Sequence, residues 1–238
     1  MPEATTDFAG RVVLVTGAAG NLGRAVADAF ERGGAGLVLV DLSRQALEAA
    51  YEESAQRLLV PADLLDQEAV DAMVAEALAR FGRIDVLCNI AGGFAMGSAI
   101  HETDDDTWES LFDLNVRTLL RTARAVVPVM LGAGGGRIVN VGAFAAQKGV
   151  ARMSAYVASK SVVIRVTETM SAELRERGIN VNCVLPTIID TPQNRAAMPD
   201  ADPSRWVSPR DIAAAILFLS SDDARAIHGA ALPLTGLV

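Results

Sequence analysis

The sequence predicts an α/β fold, one doubly wound parallel sheet covered by helices on both faces. Two observations carry that prediction. Seven short apolar segments alternate with segments of helical periodicity from one end of the chain to the other, and strands buried on both faces read as continuous apolar runs of this kind. The first run also breaks into glycines and then opens a helical pattern, which is the strand, turn and helix order of a βα unit.

Strands are expected at Val12 to Thr16, Leu37 to Asp41, Leu58 to Pro61, Ile84 to Asn89, Arg137 to Val141, Ile179 to Leu185 and Ala231 to Leu234. Helical patterns fill the gaps, beginning with Ala25, Val26, Ala29 and Phe30 after the first strand. Longer ones run from about Thr107 to Met130 and from about Ala155 to Arg177. The acidic run Asp104-Asp105-Asp106 reads as a helix start, where carboxylates meet the positive end of the helix dipole, and not as a metal site. At 238 residues and 51% hydrophobic composition the chain can bury a large core without a second domain. Residues 1–238 are therefore read as a single domain, with no internal repeat, low-complexity tract or long linker.

A formal net charge of −8 argues against a nucleic-acid or anionic-membrane partner, either of which needs a basic surface. The start Met1-Pro2-Glu3-Ala4 lacks the basic and apolar regions of a signal peptide, and no apolar run approaches the ~20 residues of a membrane span. A cytoplasmic protein is expected. Cys88 and Cys183 fall on expected strands without C-x-x-C spacing, as free core thiols do. His101 and His228 are isolated, so neither makes a nucleophile-activating base, and no metal is expected.

Two patterns carry chemistry. The first is Thr16-Gly17-Ala18-Ala19-Gly20-Asn21-Leu22-Gly23-Arg24. Glycines at a strand-to-helix turn allow unusual backbone angles and close approach of a pyrophosphate, met by the free N–H groups of the following helix. Asp41 ends the second strand about 20 residues downstream, where a carboxylate grips the adenine ribose hydroxyls of a Rossmann-type fold. That carboxylate repels a 2′-phosphate, so NAD(H) is favoured over NADP(H), with nearby Arg44 acting in the opposite sense. The second pattern is Tyr156 and Lys160, one helical turn apart on one face. An adjacent cation lowers a phenol pKa and can make tyrosine a proton donor. A solvated surface pair is the competing explanation of Tyr156 and Lys160, and the nucleotide-binding turn in the same chain weighs against it.

With these residues in hand, the chain resembles a short-chain dehydrogenase/reductase along essentially its whole length. Asn89-Ile90-Ala91-Gly92 is similar to the family's N-N-A-G segment, Asp63-Leu64 to its adenine-contacting pair, Leu114-Asn115-Val116 to its asparagine-bearing helix, and Pro186 to Thr191 to its P-G-x-x-x-T stretch. The resemblance implies that Gly17, Asn21, Leu22, Gly23, Asp41, Asp63, Leu64, Asn89, Ala91, Gly92, Pro186, Ile189 and Thr191 hold the cofactor together with Tyr156 and Lys160. It implies Tyr156 as the acid, Lys160 as the group that holds the nicotinamide ribose and lowers the tyrosine pKa, and Asn115 as the anchor of a proton-relay water. A homodimer or homotetramer, paired through the helices around Thr107 to Met130 and Ala155 to Arg177, is implied as well.

Two departures stand out. Asn21 replaces the family's middle glycine, and Ala143 occupies the position thirteen residues before the tyrosine where the family has its catalytic serine. Losing one preorganised donor costs about 10² to 10³ in rate, so the alanine suits a substrate that is already electrophilic, such as a quinonoid ring. A narrower resemblance agrees. Ala91-Gly92-Gly93-Phe94-Ala95, Gly142-Ala143 and the patches from Leu185 to Trp206 are similar to dihydropteridine reductases, which also carry alanine there. Residues 193–208 are then the substrate loop, and Phe94, Ala143 and Trp206 the substrate contacts, with Phe94 and Trp206 able to stack a flat ring. The expected activity is that of an NAD(P)(H)-dependent short-chain oxidoreductase acting on a small substrate, with a quinonoid dihydropterin-like ring as the candidate. Its alternatives are a general carbonyl reductase or alcohol dehydrogenase, and a non-catalytic dinucleotide-binding protein.

Overall fold

A computed structural model describes residues 7–238, so the expectation drawn from residues 1–4 lies outside the described residues. In chain order the elements are β1 (Val12–Thr16), α1 (Asn21–Arg32), β2 (Gly36–Asp41), α2 (Arg44–Ala50), β3 (Arg57–Pro61), α3 (Gln67–Phe81), β4 (Val86–Asn89), α4 (Asp105–Phe112), α5 (Thr118–Gly132), β5 (Gly136–Val141), α6 (Ser154–Leu174), β6 (Ile179–Pro186), α7 (Pro192–Ala197), α8 (Pro209–Ser220) and β7 (Ala231–Leu234). The strands form one sheet in the order β3-β2-β1-β4-β5-β6-β7, every neighbouring pair parallel. This is the doubly wound sheet expected from the sequence.

Alternation along each strand divides the core in two. Val13, Val15, Leu37 and Leu39 pack on one face with Val26 and Phe30 of α1 and Ile212 and Ile216 of α8. Val12, Leu14, Val38 and Val40 pack on the other with Val70 and Met73 of α3, Val126 and Met130 of α5 and Val163 of α6. Both faces are apolar because both are covered, which is why the strand sequences show no polar alternation.

Local chemistry adjusts the boundaries. The strand expected at Ile84 begins two residues later, at Val86, where the Asp85 carboxylate accepts the Val12 N–H at 2.8 Å. Asp104 caps α4 by accepting from the Thr107 N–H at 2.6 Å, so the acidic run does start a helix. The continuous helix expected from Thr107 to Met130 is instead α4 and α5 joined by a π-helical turn, Asp113–Arg117. Such turns interrupt the regular hydrogen-bond ladder and recur at functional sites, and this one carries Asn115.

Residues 192–208 contain α7 and a short 3₁₀ turn at Pro203–Arg205. Asp190 grips Arg195 through two bonds of 2.6 and 2.8 Å, and an isolated bridge joins Ile189 to Val207. Among the described residues no helix is long and apolar enough to cross a membrane.

Candidate active site

An open cleft of about 560 Å³ lies at the C-terminal ends of the strands, between the loops that follow β1, β2, β3, β4, β5 and β6. Ligands bind at this end of such sheets because the βα loops converge where the strand order reverses. In this sheet the chain leaves β1 toward β2 on one side and later returns to β4 on the other.

The first wall is the glycine turn. Gly17 has φ +63, and a Cβ there would stand 3.0 Å from the Ala91 backbone. A Cβ on Gly23 would stand 2.1 Å from the Gly17 carbonyl oxygen. These two glycines let α1 close down on the turn and the turn close down on the loop after β4. The joint is made firm by Thr16, whose hydroxyl accepts the N–H groups of Ile90 and Ala91 at 3.0 and 3.1 Å. Asp41 ends β2 with one carboxylate oxygen on the Ala19 N–H at 3.0 Å and the other on the Leu42 N–H at 2.9 Å. Gly17, Asn21, Leu22, Gly23, Asp41, Asp63, Leu64, Ala91 and Gly92 all line the cleft. Asn89 does not: it is buried, and its side-chain amide donates to Asn140 Oδ1 at 2.8 Å.

The second wall carries Tyr156 and Lys160. Both line the cleft, beside Pro186, Ile189 and Thr191. Lys160 is only 5% exposed and donates to the Val141 carbonyl at 2.8 Å. Burial lowers its pKa to about 8. The Tyr156 hydroxyl has no hydrogen-bond partner among the described residues, and burial raises its pKa to about 12. That direction is opposite to the lowering expected from the lysine. Sharing a helix face brought the two side chains to one cleft, but the ammonium is turned to Val141 and desolvation dominates the phenol.

Asn115 sits behind these groups. Its Oδ1 accepts the Gly93 N–H at 2.9 Å, and its Nδ2 donates to the Gly93 carbonyl and to Ser159 Oγ, both at 3.1 Å. The side chain thus clamps the loop after β4 onto α6. A Cβ on Gly92 would lie 2.8 Å from Asn115 Oδ1 and 3.1 Å from Lys160 Nζ, so the loop passes directly over the pair.

Of the three residues expected to contact substrate, Phe94 is 57% exposed and meets the Tyr156 ring edge to face, with centroids 4.9 Å apart. Ala143 is buried in a small cluster with Ala146, Ile164, Cys183 and Leu185, against which Tyr156 packs. Trp206 is buried and is not among the residues lining the cleft. Sequence reasoning assigned no individual role to Thr16, Val141, Ser159 or Gln193. Thr16 and Ser159 stand inside the two motifs and Gln193 opens the expected substrate loop, whereas Val141 acts through a backbone carbonyl that no side-chain pattern reports.

The arrangement fits a dinucleotide. The glycine turn is a cradle that added Cβ atoms would fill, a carboxylate stands at the β2 end, and a tyrosine with an unengaged hydroxyl faces the same cleft as a buried ammonium. Residues 11–202 match the family model described as short chain dehydrogenase. The chain belongs to the short-chain dehydrogenase family. Its D-threitol dehydrogenase relative from Mycolicibacterium smegmatis is 36% identical over 98% of this chain and 96% of that one. The levodione reductase of Leifsonia aquatica is 31% identical over 98% and 95%. Among solved structures, a carveol dehydrogenase from Mycobacterium avium in complex with NAD superposes with a TM-score of 0.87 at 28% identity, covering 97% of this chain and 98% of that one. The protein is accordingly a nicotinamide-dependent oxidoreductase of a small molecule.

Proposed function

We propose that this oxidoreductase prefers NADH and reduces a small ring compound whose reacting carbon is already electrophilic, of the quinonoid dihydropterin or cyclic imine kind. The observation that carries the substrate class is Ala143, a methyl group in the buried cluster against which Tyr156 packs, at the position where the family offers a hydroxyl. Without that donor a plain ketone loses the hydrogen bond that would stabilise its developing charge, whereas an electrophilic ring needs only hydride and one proton.

The nicotinamide, when bound, supplies the hydride. Tyr156 delivers the proton from its phenol, which is protonated at neutral pH and lines the cleft with its hydroxyl unengaged. Lys160 holds the nicotinamide ribose, with the Val141 carbonyl fixing its ammonium. Asn115 anchors the relay water and positions the Gly92 and Gly93 backbone over the lysine. Asp41 takes the adenine ribose hydroxyls, Asp63 and Leu64 the adenine, and Gly17, Asn21, Leu22, Gly23, Ala91, Gly92, Pro186, Ile189 and Thr191 the remainder of the dinucleotide, while the buried Asn89 holds β4 to β5 behind the cleft. Phe94 takes one face of the substrate ring, and Trp206 supports the loop that covers it. NADH is preferred because the Asp41 carboxylate meets a 2′-phosphate with like charge.

A second reading is favoured by the relatives, one of which is named for dehydrogenation of a small polyol: an alcohol dehydrogenase or carbonyl reductase in which water replaces the missing hydroxyl. NADH consumption with quinonoid dihydropterin beside a panel of small ketones separates the two. Turnover of the ring compound, lost by about 10² or more in Tyr156→Phe with NADH binding retained, is the expected result. Turnover confined to ketones establishes the second reading. Ala143→Ser should raise ketone reduction by about 10-fold or more and leave the ring compound little changed, and equal gains on both would remove Ala143 as a substrate clue.

A further inference from the structure

Asn21 Nδ2 donates to Gln193 Oε1 at 2.8 Å. The two residues are 172 positions apart in the chain, and the strands that precede them, β1 and β6, are separated in the sheet by β4 and β5. At a strand spacing near 4.8 Å the loops leaving β1 and β6 start about 14 Å apart. The bond closes that gap with side chains. Asn21 is the first residue of α1 and lines the cleft, and Gln193 stands two residues beyond Thr191, which lines its other lip. The bridge therefore runs lip to lip above the end of α1, where free N–H groups meet a diphosphate. Neither amide side chain has another hydrogen-bond partner among the described residues, so the contact is not a by-product of a larger network.

The two ends are anchored differently. Asn21 sits on the glycine turn, fixed by the Asp41 carboxylate on the Ala19 N–H. Gln193 sits in α7, whose start is capped by Thr191 Oγ1 on the Asn194 N–H at 3.2 Å and whose Arg195 is held by Asp190. The α7 segment is thus a preformed piece, tied to the loop after β6 by the Asn194 amide on the Ile189 carbonyl at 2.8 Å. A glycine at position 21 has no side chain with which to hold it.

We propose that Asn21 and Gln193 form a strap that closes over the dinucleotide diphosphate and slows cofactor release. The proposal rests on the cofactor reading above and on no particular substrate. Breaking one exposed neutral hydrogen bond corresponds to about a two- to tenfold change in rate, which sets the size of the effect.

The test is the NADH dissociation rate, followed by stopped-flow fluorescence after a chase, in wild type, Asn21→Gly, Gln193→Ala and the double variant, with NADPH measured in parallel. Each single change should speed release two- to tenfold and the double no more than the larger single, since both remove one bond. Exchanging the two amides, Asn21→Gln with Gln193→Asn, keeps the combined reach and should restore slow release. A merely structural contact would shift unfolding midpoints and leave these rates unmoved. Gln193→Ala releasing NADH at the wild-type rate, or additive effects in the double variant, overturns the strap alone. Wild-type protein that binds neither NADH nor NADPH overturns the cofactor reading and the strap with it.

Discussion

Replacing Lys160 by Met should make the pH dependence of stability reveal the strain of burying an ammonium. Lys160 is 5% exposed, and its pKa is lowered from 10.5 to about 8, chiefly by burial, with Cys183 acting weakly the other way. That difference corresponds to about 3 kcal/mol of penalty on the charged form in the folded state. The unfolded chain keeps the ordinary value, so between the folded pKa near 8 and the unfolded value of 10.5 the unfolded state binds more protons and stability rises with pH. Below the folded pKa the penalty is present in full. Above the unfolded value both states are neutral and the penalty is gone. Subtracting the Lys160→Met variant from wild type cancels the titration of every group that does not interact with Lys160, leaving Cys183 as a small residual near the alkaline end. The difference should therefore climb in favour of wild type by about 3 kcal/mol from about pH 7 to about pH 11. Urea unfolding of the cofactor-free protein, monitored by tryptophan fluorescence at matched pH, reads this directly. The absolute offset also contains the lost bond to Val141, which is why the slope is the observable. A flat difference, or one that falls as pH rises, would mean that the ammonium is not penalised in the folded protein, and the burial argument would fail.

Two further outcomes follow from the cleft. Gly92→Ala places a methyl 2.8 Å from Asn115 Oδ1 and 3.1 Å from Lys160 Nζ, so it should lower stability by about 1–3 kcal/mol. It should also cut turnover by more than tenfold, and an active, fully stable variant in thermal unfolding and steady-state assays would contradict the clamp. Asp41→Ala removes the acceptor for the Ala19 and Leu42 N–H groups and the negative charge at the β2 end. NADH affinity measured by fluorescence titration should fall roughly 10- to 100-fold, with NADPH losing much less, and equal losses for both cofactors would remove the basis for the NAD preference.

The sequence by itself determined the sheet, because a strand buried on both faces and a helix covering it are written in local periodicity, and each run from Val12 to Leu234 could be read from its own residues. It determined the cleft for the same reason: Gly17, Gly23, Asp41, Tyr156 and Lys160 are set at strand ends and one helical turn apart, and the fold brings such positions together. Tertiary structure alone decided what those side chains touch. Nothing near Lys160 in the chain says that Val141, nineteen residues away, takes its ammonium, or that burial raises the Tyr156 phenol. The π-helical turn at Asn115 and the burial of Trp206 likewise depend on neighbours supplied by other elements. The Asn21–Gln193 bridge is the clearest case, since two exposed amides 172 residues apart meet only because three strand spacings and two loops put them there. Periodicity records which face of an element is covered. The direction a polar side chain takes is settled by whichever partner lies within hydrogen-bond reach, and that is a property of the packed molecule.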